Sequence, residues 1–127
     1  MNTTITSKDN VQDPLYSPHG EIVYEMVGRP QNHGGAAQHS LAHIILPPGK
    51  ASLAHHHRIC EESYYILRGH ARMQIDGRSY EMLPDQVCLI MPGQVHQIFN
   101  AGPQDLEFLA VCAPAWYPED SSYESAA

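Results

Sequence analysis

Apolar residues along this chain come in short runs of strand length, and turn residues interrupt them about every eight to twelve positions. A strand is predicted over 22–27, followed by a Gly/Pro/Asn-rich loop over 28–38. The next run, 41–46, stops at Pro47-Pro48-Gly49, and another follows over 52–57. The run 63–67 ends at Gly69, and 71–75 leads into Asp76-Gly77, a dipeptide suited to a tight hairpin, with the return over 79–82. Residues 87–90 end at Pro92-Gly93, 95–99 at Asn100-Ala101-Gly102-Pro103, and 106–112 form the last run. No segment carries an extended 3.6-residue period, and no helical or solenoid repeat is present. The pattern predicts an all-β sandwich or barrel. Residues 1–18 read as a tail or capping arm, 19–117 as the barrel and 118–127 as a C-terminal tail.

Composition narrows the classes of function. With 127 residues the chain fits one domain, and 43% hydrophobic residues suffice for one core. The net charge is −7 with His neutral, and the seven basic residues are scattered, which argues against nucleic acid and against an anionic membrane surface. Residues 1–10 are polar, so neither a signal peptide nor a membrane span is expected, and a cytoplasmic location is the default. Cys60, Cys88 and Cys112 are widely separated and odd in number; their plain reading is as small buried hydrophobes. Nine histidines, none in a terminal run, point to a metal site.

Strand parity groups the candidates. Alternate residues share a face, so Leu53, His55 and His57 point one way, as do Glu62, Tyr64 and Ile66. Residues 58–61 can return the chain, letting two imidazoles and a carboxylate converge across a hairpin. His96, which shares a face with Ile98 just beyond Pro92-Gly93, is the best source of a third imidazole. A lone inward histidine is ordinarily a hydrogen-bonded core residue. Burying three with a glutamate, and no ion between them, would cost several kcal/mol.

The segment Gly49-x5-His55-x-His57-x4-Glu62-x6-Gly69 resembles the first sequence motif of the cupin family with each fixed residue in place. Residues 85–100 resemble the second, G-x5-P-x-G-x2-H-x3-N, through Gly93, His96 and Asn100. Asp85 replaces its first glycine and Met91 its proline, with Pro92 one place later; Asp tolerates left-handed turn geometry better than most residues. The resemblance covers roughly residues 40–113. It implies a double-stranded β-helix, or jelly-roll, barrel with His55, His57, Glu62 and His96 as ligands of one divalent transition metal: Fe, Mn, Ni, Co or Zn. Glu61 is the rival carboxylate, but it breaks the six-residue step to Gly69, and His56 must face away from the ligands.

Four protein ligands on a six-coordinate metal leave two positions for a small molecule or O2. Tyr64 is a candidate catalytic acid or base beside that metal; the plainer alternative is a packed barrel aromatic. His43, Met73 and Ile98 are expected to line the substrate pocket, and Trp116 and Tyr117 to close a barrel end or meet a partner subunit. The resemblance favours an enzyme of dioxygenase type. The alternatives are a metal-dependent lyase, isomerase or decarboxylase, and a non-catalytic small-molecule or metal-binding module. A homodimer is expected from free sheet edges.

Overall fold

The computed structural model describes residues 3–124. Eleven strands form: β1 (Leu15–Tyr16), β2 (Ile22–Val27), β3 (Ser40–Leu46), β4 (His55–His57), β5 (Glu61–Arg68), β6 (Ala71–Ile75), β7 (Arg78–Met82), β8 (Val87–Ile90), β9 (His96–Asn100), β10 (Leu106–Ala113) and β11 (Ser121–Tyr123). They make two antiparallel sheets, one in the order β1-β2-β3-β10-β5-β8 and one in the order β11-β4-β9-β6-β7. The chain crosses repeatedly between the sheets, as a double-stranded β-helix does.

Turn chemistry accounts for the corners. Asp76 (φ 49°) and Gly77 (φ 84°) both adopt left-handed backbone, the geometry of a two-residue hairpin whose twist matches the strands. Asp85 takes φ 72° where the resemblance called for glycine. At Gly69 (φ 95°) a Cβ would sit 2.9 Å from the Asp105 carbonyl oxygen and 3.0 Å from Leu106 Cα, so only glycine lets β5 turn into β6 beside the start of β10.

Each expected strand forms, with one shortened. The run over 52–57 is a strand only at its end, because Ser52 takes part in a side-chain bridge: its N–H donates to the Ile98 carbonyl at 2.9 Å while its Oγ accepts from the Ile98 N–H at 3.0 Å. The expected C-terminal tail over 118–127 is corrected in part. Residues 121–123 form β11, paired along β4, while 125–127 lie outside the described residues. The N-terminal arm joins the larger sheet through β1, in register Leu15↔Val23 and Tyr16↔Ile22.

The interior is graded. On β3 the inward residues run Leu46, Ile44, Ala42, Ser40; on β10, in register beside them, Leu106, Phe108, Ala110, Cys112. One end therefore packs solid around Leu46, Ile66, Met73, Ile98, Leu106 and Phe108. Toward the other end the side chains shrink, and a cavity opens between the sheets.

Candidate metal centre

The cavity has a volume of about 530 Å³ and is lined by residues including His55, His57, Glu62 and Tyr64. β4 supplies His55 and His57, β9 supplies His96 directly opposite His55 in the ladder, and β5 supplies Glu62 from the other sheet. One potential ligand atom from each of these four residues lies within 4.8 Å of all the others. The rival Glu61 is exposed on the outer face, one residue out of phase, and His56 also faces outward, toward Glu124.

Three polar atoms in this cluster are buried with no hydrogen-bond partner: His57 Nε2, Glu62 Oε1 and His96 Nε2. Both nitrogens stand 3.3 Å from that one carboxylate oxygen. Leaving such groups unpaired costs about 1–3 kcal/mol each, so a native structure gathers them around something that satisfies them.

The opposite edges of the imidazoles show why the lone pairs face inward. His55 Nδ1 lies 2.9 Å from the Leu53 carbonyl and His96 Nδ1 lies 3.0 Å from that of Gln94. A carbonyl only accepts, so each Nδ1 carries the proton and each Nε2 presents a lone pair. His57 Nδ1 meets Ser121 Oγ at 3.1 Å, and the same hydroxyl accepts the Trp116 indole N–H at 3.0 Å. Glu62 Oε2 accepts from the Cys112 thiol at 2.9 Å.

The electrostatics agree with that set. Burial, helped by the neighbouring His96, lowers His55 to about 4, so it is neutral at physiological pH. Burial pushes the Glu62 carboxyl up, but His57 and His96, where their Nε2 atoms carry protons, and the Cys112 thiol outweigh it and hold the group ionised, well below the usual range, a role an ion takes over when those Nε2 protons leave. Neutral imidazoles with an ionised carboxylate are the states a divalent ion requires. The residues present thus fit a single N3O-coordinated transition metal, with no thiolate among the donors.

Tyr64 is buried, faces the cavity and packs edge-on against His96, with ring centroids 5.8 Å apart. Burial first, then the Glu62 charge, raises its hydroxyl well above the ordinary tyrosine range, so it keeps its proton.

The three expected pocket residues lie elsewhere. His43 shares its face with Leu41 and Ile45 as the sequence indicates, but that face is the outer one; Ala42 and Ile44 point inward, and His43 Nε2 pairs with Glu107 Oε1 at 2.9 Å. Met73 and Ile98 are cross-strand neighbours wholly buried in the solid end of the barrel. Sequence reasoning missed Cys112 and Ser121 as supports of the ligands, and it missed the arm residues that wall the cavity.

Residues 42–112 match the family model described as the cupin domain. An uncharacterized protein of Methanocaldococcus jannaschii is 34% identical over 121 residues, 95% of this chain and 94% of that protein. The oxalate-binding protein of Thermotoga maritima is 40% identical over 70 residues, covering 55% of this chain and 58% of its own. Among solved structures, the Bacillus subtilis oxalate decarboxylase, studied for its Mn(II) centers, superposes with a TM-score of 0.76 at 25% identity. That match covers 88% of this chain and 30% of the decarboxylase, so the chain spans under a third of that enzyme's length.

Proposed function

Given that this chain belongs to the cupin family, we propose that it binds one divalent transition-metal ion through His55, His57, Glu62 and His96 and acts as an enzyme on a small organic molecule, with a dioxygenase-type reaction favoured. The observation that carries the reading is the convergence of three buried, unpartnered ligand atoms at the inner end of an open cavity. A metal bound there supplies Lewis acidity and open coordination positions. The chain's own residues do the rest. The carbonyls of Leu53 and Gln94 fix two imidazole tautomers, Cys112 holds the carboxylate, and the burial of His57, Glu62 and His96 keeps bulk water from their facing atoms. Tyr64, which retains its proton, serves as a hydrogen-bond donor or general acid toward a molecule in the cavity.

A second reading, small-molecule binding without turnover, is favoured by the likeness to the Thermotoga maritima oxalate-binding protein. The proposal also includes a cytoplasmic location, supported by three free cysteines, and a homodimer. The edge strand β8 supports the dimer: Val87 and Leu89 stand exposed beside Tyr65 and Leu67 of β5. Among the described residues no helix is long and apolar enough to cross a membrane.

Metal analysis of the purified protein tests the site. We expect close to one ion per chain in wild type and a near-complete loss in His96→Ala; unchanged metal content in that variant would sink the assignment. Oxygen uptake by the metal-loaded protein with candidate substrates then separates the reaction classes. Anaerobic turnover would replace the dioxygenase reading with a lyase, isomerase or decarboxylase, and ligand binding with no turnover under either condition would favour the binding module.

A further inference from the structure

The cavity above the metal cluster has a one-sided charge. Its carboxylates are Asp13, Glu21, Glu25 and Glu62, and among the described residues no lysine or arginine lines it. Three of the four lie against imidazoles. Asp13 and Glu25 flank His33, at 2.8 Å from Nε2 and 2.7 Å from Nδ1. Glu62 faces the imidazoles of His57 and His96. Glu21 is different: it accepts only a long hydrogen bond from Ser17 Oγ at 3.4 Å, and among the described residues no cation pairs with it. It sits in the wall formed by the N-terminal arm and the start of β2, and it lines the same space as the metal cluster. The lining as a whole is largely apolar, with Val23, Ile44, Leu53, Ala110 and Trp116 contributing.

We infer that the cavity selects a largely apolar ligand that chelates the metal at one end and carries a cationic or hydrogen-bond-donating group for Glu21 at the other, and that it discriminates against small dianions such as oxalate. This rests on the reading of the cluster as a metal site. With the metal's charge met by Glu62 and the ligand's chelating head, further negative charge on a ligand would face Glu21 and the Asp13–Glu25 pair, which shares the single His33 imidazole, with no guanidinium or ammonium on the wall to offset it. At about 530 Å³ the space is also of the size that takes a ring-bearing molecule, which a small dianion would leave mostly to water. Burial pushes the Glu21 carboxyl up from its ordinary value, outweighing the Ser17 hydrogen bond and the longer-range attraction of the His19 imidazole, which also lines the cavity. The likeness to the oxalate-named relatives is one of sequence and fold; the wall opposite the cluster calls for a ligand other than a small dianion.

Two probes isolate the effect. Dopamine and homoprotocatechuate share a catechol head for the metal and the same ring, and differ in an ammonium or a carboxylate tail. Zn(II) avoids redox chemistry with the catechol. The zinc content of wild type and Glu21→Gln is measured first, and each probe is then titrated calorimetrically into both proteins at about pH 8, where Glu21 is ionised. Wild type should prefer dopamine by about tenfold or more, and Glu21→Gln should lose most of that preference while keeping its zinc. Equal or tighter binding of homoprotocatechuate by zinc-loaded wild type, binding of neither probe, or a preference unchanged in Glu21→Gln would each overturn the inference and leave the metal site standing. A wild type that takes up no zinc would overturn the metal reading and this inference together.

Discussion

Asp120 lies in the stretch that reads as tail, yet it is wholly buried. Its carboxylate accepts from the Ile59 N–H at 2.8 Å and from the Cys60 N–H at 2.9 Å, and its carbonyl accepts from the Arg58 N–H at 3.1 Å. These three amides form the link between β4 and β5, so one side chain holds the corner that sets His57 against Glu62. Asp120→Ala removes two charge-assisted hydrogen bonds and leaves two amides without acceptors in a place water hardly reaches. At about 1.5–3 kcal/mol for each such bond, the loss should be about 3–6 kcal/mol. For a domain of this size that lowers Tm by about 10–20 °C. Asp120→Asn keeps one acceptor oxygen and should cost about half as much. Thermal melts of the metal-free protein followed by circular dichroism measure both, and an Asp120→Ala protein melting within about 2 °C of wild type would refute the reasoning. The pH dependence has a definite sign. Burial opposes ionisation of Asp120, but the donors from Cys60 and Ile59 outweigh it and its folded value lies below the ordinary 3.8. Its contribution is thus fully present above 3.8 and is lost as pH falls through the depressed folded value.

Cys112→Ala removes the donor to Glu62 and should weaken metal affinity about tenfold, with Cys112→Ser close to wild type, as read by competition with a chelating dye; equal affinities in all three proteins would deny the thiol any role. His33 is pulled down by burial but raised on balance by Asp13 and Glu25, so its hold on the N-terminal arm is full below 6.5 and fades as pH rises through its higher folded value. Amide exchange at Ser17, whose N–H donates to the Glu21 carbonyl at 2.8 Å, corrected for intrinsic rate, should lose protection between about pH 6 and 9, and a flat profile would contradict the latch. Leu89→Lys on the β8 edge should shift a wild-type dimer to monomer in sedimentation; a monomeric wild type would refute the proposed dimer.

Nine of the eleven strands and the convergence of the four candidate ligands were legible for the same reason. Period-two alternation fixes which residues share a face, and two histidines with a glutamate at matched parity across a short link suit little besides a metal ion. What alternation does not specify is which face is inside when both are apolar. His43 fails on that point: Leu41 and Ile45 flank it as convincingly as Ala42, Ile44 and Leu46 argue for the opposite face, and only the docking of β10 decides. Met73 and Ile98 have the right face, but the barrel's depth, set by the gradation from Leu46 to Ser40, places them at the filled end. β11 carries no apolar signal at all. Ser121-Ser122-Tyr123 becomes a strand because Asp120 and Trp116 bring it beside β4, a tertiary cause with no local trace.

The ligand set draws on both layers of the barrel. Three imidazoles hang from the smaller sheet and the single carboxylate reaches across from the larger one. An ion shared by them is therefore a rivet through the sandwich, placed at the end where the side chains are too small to glue the layers together. Filling the site would fasten that end of the two layers together, so the metal should add more stability at the mouth of the barrel than at its solidly packed base.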